Sequence, residues 1–171
     1  LDAEIAVVIS DKPEAAGLAT ARGLGLKAVA IPATGLKRAA HDALVAEELK
    51  QNQVDLICLA GYMRLLGKAF VDRFAGRILN IHPSLLPSFP GLDAQKQALD
   101  HGVKIAGCTV HFVTEQMDAG PIVRQAAVPV LEHDTADSLA HRILEQEHVI
   151  YSQAIQEVLS RLAHGAEHLR R

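Results

Sequence analysis

Val54-Asp55-Leu56-Ile57-Cys58-Leu59-Ala60 is apolar at every position except Asp55. A run this short and this apolar reads as a strand covered on both faces, the kind found inside parallel sheets. Upstream, in residues 36–50, apolar residues recur four apart at Leu36, Ala40 and Leu44 and again at Val45 and Leu49, with charges between them. That spacing predicts a helix. Downstream, residues 67–74 predict a short helix and Ile78-Leu79-Asn80-Ile81-His82 a further strand. The same alternation extends towards the start of the chain. Residues 4–9 read as a strand, and Ser10-Asp11-Lys12-Pro13 carries a turn and helix-start signature. Residues 15–24 read as a helix stopped by Gly25, and residues 27–31 as a strand closed by Pro32.

The pattern changes after the helix expected over residues 93–101. Residues 107–113 and 122–130 form two apolar runs joined by a Gly-containing loop, a hairpin signal. Asp134-Thr135 caps a last helix expected to run to about residue 161, with Ile143, Glu147, Ile150, Ala154 and Val158 along it. The fold class expected is therefore α/β, with a doubly wound, mostly parallel, Rossmann-like sheet and an antiparallel hairpin near the C-terminus. In such folds ligands sit beyond the carboxyl ends of the strands, here the loops after Ala60 and after His82.

With 171 residues, one domain spanning 1–171 is expected. Hydrophobic residues make up 49% and aromatic residues 4%, without Trp, so aliphatic side chains must fill the core. The net charge is -3 and no basic block occurs. This argues against nucleic acid as the main partner, since phosphate backbones demand clustered Lys and Arg, and the terminal Arg170-Arg171 pair is too short to reverse it. No apolar run reaches membrane-spanning length, no signal peptide is visible, and a cytoplasmic protein is expected. Cys58 and Cys108 read as small buried hydrophobes in a reducing compartment.

Asn80 and His82 share one face of their strand, with Ile81 on the other. A carboxamide beside an imidazole makes a donor pair able to meet a developing oxyanion. Pattern alone gives more weight to a structural, hydrogen-bonded histidine. The following segment holds Pro83, Pro87 and Pro90 and places leucines in a loop, which suggests a rigid structure with a specific role. Asp118 lies in the hairpin loop. It reads as a turn-forming residue, or as a carboxylate that keeps a nearby histidine cationic and relays protons through water. His111 reads as a core residue or a second active-site imidazole. His82 and His111 lack Cys or carboxylate ligands at zinc spacing, and no metal is expected. His133, His141, His148, His164 and His168 read as surface or cap residues.

Leu79-Asn80-Ile81-His82-Pro83-Ser84-Leu85-Leu86-Pro87, Gly107-Cys108-Thr109-Val110-His111-Phe112-Val113 and Met117-Asp118-Ala119-Gly120-Pro121-Ile122 together resemble the phosphoribosylglycinamide formyltransferase family. Leu59-Ala60-Gly61-Tyr62-Met63-Arg64-Leu65-Leu66 and Glu145-Gln146-Glu147-His148-Val149-Ile150-Tyr151 resemble further segments of it, in order, from about residue 4 to 160. The resemblance implies transfer of a formyl group from 10-formyltetrahydrofolate to the amine of glycinamide ribonucleotide in purine biosynthesis. It places the catalytic roles on Asn80, His82 and Asp118. It places folate binding on Arg38, Met63, Arg64, Leu65, Leu66, Asn80 and the loop residues Thr114, Glu115, Gln116, Met117 and Asp118. Pro83 and Glu147 would bind the ribonucleotide, and Arg38 would face the folate's glutamate tail, a solvated helix arginine being its other reading. Small-molecule substrates and a monomer or weak homodimer are expected.

Family members open with a strand, a Gly- and Asn-rich phosphate loop and a helix, and none of these precedes Leu1. An N-terminally incomplete domain is therefore expected, one that binds nucleotide poorly and lacks a central strand. Formyltetrahydrofolate hydrolase is the nearest enzyme rival, resembled around Gly102-Val103-Lys104-Ile105-Ala106-Gly107, but it carries His where this chain has Pro83. Methionyl-tRNA formyltransferase would need an RNA-binding domain. A folate-binding protein without catalysis would have no need of Asn80, His82 and Asp118 together.

Overall fold

The polypeptide alternates strand and helix as its apolar periodicity requires. In a computed structural model, residues 3–168 are described, with side chains as far as residue 163. Leu1, the Arg170-Arg171 pair and the side chains of His164 and His168 lie outside the described residues. The elements are β1 (Val8–Ser10), α1 (Ala16–Gly23), β2 (Ala28–Ala30), α2 (Arg38–Gln51), β3 (Ile57–Leu59), α3 (Lys68–Arg73), β4 (Ile78–His82), α4 (Ala94–Asp100), β5 (Ile105–Phe112), β6 (Ile122–Pro129) and α5 (Ala136–His168).

Each βαβ crossover gives a parallel pair, β1 with β2 and β3 with β4. At β4 the pattern switches: β5 runs antiparallel to β4, and β6 antiparallel to β5. Hydrogen bonding divides these strands between a two-stranded sheet, β1-β2, and a mixed four-stranded sheet in the order β3-β4-β5-β6. The architecture is α/β as expected, with antiparallel pairing taking a larger share than the hairpin alone implied.

Strand β4 lies inside this sheet and feeds both faces. Leu79 joins a core with Cys108, Val110 and Val128 of the sheet and Leu139, Ile143, Ile150, Ala154 and Val158 of α5. Those α5 positions recur at helical spacing, so one stripe of the helix is buried. Ile78, one residue earlier, enters the opposite core with Ala46 and Leu49 of α2, Phe70 of α3 and Phe74 just beyond it. Burying each such aliphatic side chain contributes roughly 1.5–3 kcal/mol. Alternation then sends Asn80 to the face of Ile78 and Ile81 to that of Leu79. The start of α5 is fixed by reciprocal bonds, Thr135 N to Ser138 Oγ at 2.9 Å and Ser138 N to Thr135 Oγ1 at 3.2 Å.

One expectation fails at the opening stretch. Strand β3 is covered on one face only: Ile57 is buried while Cys58, on the opposite face, keeps exposed surface, whereas Cys108 on the interior strand β5 is fully buried. Surrounding apolar groups push the Cys58 thiol up to about 11, and burial pushes that of Cys108 up to about 12. Both are far from thiolate reactivity.

Candidate active site

The segment after β4 is held by a buried polar network. Thr109 Oγ1, fully enclosed on β5, donates to Ser84 O at 2.7 Å and accepts from Leu86 N at 3.0 Å. Gln125 Nε2 on β6 reaches Leu86 O and Thr109 Oγ1, both at 2.9 Å. Ser84 Oγ donates to Ser88 O at 2.6 Å. Residues 83–91 are thus fixed by bonds from two strands, and the peptide between Leu86 and Pro87 is cis. Gly107 is obligatory beneath this loop, because a Cβ there would lie 2.0 Å from Ala126 O and 2.9 Å from Leu85 Cδ2.

The fixed loop turns its backbone back onto the end of β4. Phe89, in a left-handed conformation, offers its carbonyl to His82 Nε2 at 2.9 Å. Gly91 N donates to Asp118 Oδ2 at 2.8 Å. Asp118 is also left-handed, with φ 52°, and this places its carboxylate against two imidazoles. Its Oδ2 lies 3.5 Å from His82 Nδ1, and its Oδ1 lies 3.8 Å from His111 Nε2. Gly120 permits the tight return of the hairpin, since a Cβ there would fall 1.8 Å from Phe112 O.

Asn80 faces His111 across the antiparallel pair, and the β5–β6 register shifts between Val110 and His111. His111 Nδ1 donates to Phe112 O at 3.0 Å, which leaves Nε2 as the acceptor for Asn80 Nδ2 at 3.3 Å. Burial holds the His111 imidazole below its ordinary value; the Phe112 carbonyl and Asp118 oppose that shift and His82 adds to it. A neutral His111 therefore fixes the orientation of the Asn80 amide. Among the described residues, the second Nδ2 hydrogen and Oδ1 of Asn80 meet no protein partner.

The structure thus brings Asn80, His82 and Asp118 together and adds His111, whose core-like burial hid its contact with Asn80. Glu147, half-buried on α5, has its carboxyl raised by burial, while His148 and His82 pull it back down. It is therefore within electrostatic reach of His82. Pro83 lines a cavity of about 120 Å³ with Ser84, Leu85, Phe89, Val103 and Ile105, and neither Glu147 nor Asp118 lines it.

The other residues expected to contact ligand lie at the start of α2, on the loop after β3 and on the hairpin loop. Met63, Leu65 and Met117 are exposed apolar side chains, 77%, 60% and 60% accessible. The start of α3 and the hairpin loop are linked by Lys68 Nζ and Glu115 Oε2 at 3.7 Å. Arg38 reaches the same loop, its Nε 4.0 Å from where a Gly67 Cβ would lie, and Gly67 N donates to Asp42 Oδ2 at 2.7 Å. Arg64 and Leu66 are partly buried on the post-β3 loop, and Thr114 and Gln116 lie on the hairpin loop, where Thr114 Oγ1 donates to Gln116 O at 3.2 Å. Among the described residues, no group of three His, Cys, Asp or Glu could hold a metal ion, and no helix is long and apolar enough to cross a membrane.

Known proteins similar to this chain share one family. The chain is 44% identical over 159 residues to a phosphoribosylglycinamide formyltransferase of Bacillus subtilis, covering 92% of this chain and 82% of that protein. It is 48% identical to a trifunctional purine biosynthetic protein adenosine-3 of Drosophila melanogaster, covering 91% of this chain and only 12% of that longer protein. The crystal structure of glycinamide ribonucleotide transformylase 1 from Symbiobacterium toebii superposes with a TM-score of 0.86 at 59% identity, over 88% of this chain and 72% of that one. Residues 1–155 match the formyl transferase family, and the chain belongs to it.

Proposed function

We propose that this chain transfers the formyl group of 10-formyltetrahydrofolate to the amine of glycinamide ribonucleotide, a step of purine biosynthesis. The observation that carries this reading is the setting of His82, with one ring nitrogen against the Phe89 carbonyl and the other facing Asp118, beside the free N–H of Asn80. Nε2–H donates to the Phe89 carbonyl, which turns Nδ1 towards the Asp118 carboxylate.

In the reaction, the amine nitrogen attacks the formyl carbon and the carbonyl electrons move to oxygen. Asn80 Nδ2 donates to that oxygen, and the His82 cation stabilises its charge. The Nδ1–Asp118 separation of 3.5 Å is long for a direct hydrogen bond and leaves the Nδ1 proton free to be shared with an entering oxygen or water. The attacking nitrogen must lose a proton and the departing folate nitrogen must gain one. Asp118 assists the first through water, and His82 supplies the second.

The folate lies against Met63, Arg64, Leu65, Leu66 and the 114–118 loop, with Arg38 towards its carboxylate tail. The ribonucleotide lies by Pro83 and Glu147. Residues 1–171 belong to a single formyltransferase domain. The protein works in the cytoplasm on small molecules, as a monomer or weak homodimer and without nucleic acid, in keeping with its net charge of -3.

The test follows loss of the formyl group from 10-formyltetrahydrofolate with and without glycinamide ribonucleotide. Loss only when the amine is present supports the transferase. Equal loss in its absence would make the protein a hydrolase, and no loss at all would leave a folate-binding protein.

A further inference from the structure

Tyr151 sits on α5 one turn after Glu147, on the same helix face. Its hydroxyl points at two backbone oxygens, Leu59 O at 2.7 Å and Leu79 O at 3.1 Å. These belong to neighbouring parallel strands, β3 and β4, whose last paired residues are Leu59 and Asn80. Leu79 immediately precedes Asn80, and Leu59 leads directly into the 60–66 loop. One phenolic proton is shared between two acceptors, the nearer taking the larger part. Burial raises the phenol well above its ordinary range, with Cys58 adding to the effect, so the group stays a donor across working pH.

We propose that Tyr151 is a positioning residue for formyl transfer, a single post that fixes the Asn80 strand end, the 60–66 loop and the Glu147 face of α5 relative to one another. It touches no reacting atom. The inference rests on the formyl-transfer reading, because that reading assigns one of these three parts to the oxyanion, one to the folate and one to the ribonucleotide. Helix α5 has ample apolar anchorage elsewhere, through Leu139, Ile143, Ile150, Ala154 and Val158. The hydroxyl is therefore not needed to hold the helix on the sheet. Its bonds instead register the helix against the two carbonyls at the mouth of the site.

The experiment compares the wild type, Tyr151→Phe, 3-fluorotyrosine at position 151, and Val158→Ala as a control. Val158 is 2% exposed and lies two turns further along α5. Misplacement of reacting groups by about 1 Å costs on the order of 10²-fold in rate, and a smaller shift from losing one hydroxyl predicts roughly a 10-fold fall in kcat. The KM values for folate and ribonucleotide should rise together in Tyr151→Phe, and 3-fluorotyrosine, which keeps the hydroxyl, should restore both parameters. Val158→Ala should lower the melting temperature at least as much while leaving kcat and both KM values near wild type. A Tyr151→Phe protein that melts earlier but turns over normally overturns the inference, as does an equal kinetic loss in Val158→Ala. Absence of amine-dependent transfer by the wild type removes the functional reading and this inference with it; wild-type transfer with an unaffected Tyr151→Phe removes the inference alone.

Discussion

Replacing Asn80 by Ala separates a catalytic amide from a structural one, because the two roles predict different losses. In the folded protein Asn80 Nδ2 donates to His111 Nε2 at 3.3 Å, and His111 is 2% exposed. Deleting the amide leaves that nitrogen buried without a partner, at a cost of about 1–3 kcal/mol in stability. A purely structural Asn80 would produce this loss alone. If the second Nδ2 hydrogen meets the oxyanion, kcat also falls by about 10²–10³, equivalent to roughly 2.7–4 kcal/mol of transition-state stabilisation. The assay pairs initial rates at saturating 10-formyltetrahydrofolate and glycinamide ribonucleotide with urea unfolding of the same preparations. Asn80→Asp supplies a second arm: it keeps the side-chain volume but puts negative charge where the oxyanion would form, so its kcat should fall at least as far. A well-folded Asn80→Ala enzyme with near-normal kcat would refute the oxyanion role and leave the amide as a partner of His111.

Three further outcomes follow from the same geometry. His111 has its folded-state value below the ordinary 6.5, so the unfolded chain binds this proton at a pH where the native state does not. Its contribution to stability is therefore complete above about pH 6.5 and declines as pH falls below it; the wild-type minus His111→Gln stability difference, measured by urea titration from pH 8 to pH 5, should slope downward through that window, and a flat difference would contradict the assignment. Gly120→Ala would drive a Cβ to 1.8 Å from Phe112 O, an overlap that backbone movement must relieve. Overpacking of this kind costs about 1–3 kcal/mol or more, and because Asp118 lies two residues away, calorimetry should register a lower melting temperature and kinetics a lower kcat together. Thr109→Val would strip the hydroxyl from Leu86 N, Ser84 O and Gln125, leaving a buried N–H unpaired at about 1–3 kcal/mol, and hydrogen exchange of residues 83–91 should quicken.

Much of this arrangement was legible from residue order, and the remainder was hidden for identifiable reasons. Ile78-Leu79-Asn80-Ile81-His82 alternates cleanly, so both the bounds of β4 and the shared face of Asn80 and His82 could be read directly. The other elements occur in the expected order, but β1 covers Val8–Ser10 rather than residues 4–9, β3 shrinks to Ile57–Leu59, and α5 runs beyond the expected residue 161 to His168. The partnership of Asn80 with His111 could not be read. It depends on the antiparallel register Asn80↔His111, which is set by the long excursion through residues 83–104 and by the register shift beside His111. His82 and Asp118 are met by backbone groups, Phe89 O and Gly91 N, whose placement depends on left-handed residues and on the Thr109 network. The role of Tyr151 could not be read either, because helical period reports which face is buried but not that one hydroxyl on it reaches two strand ends. The exposure of Cys58 was missed because an apolar run does not reveal that one of its two faces is left uncovered.

The destination of the formyl carbon separates transfer from hydrolysis and from simple binding. Enzyme mixed with [13C-formyl]-10-formyltetrahydrofolate and glycinamide ribonucleotide, followed by 13C NMR, reports that destination directly. Formyl transfer predicts label accumulating as an N-formyl amide on the ribonucleotide, one for each amine consumed, with no formate formed when the amine is left out. Label released as formate at the same rate with or without the amine, or label that stays on the folate, would contradict it.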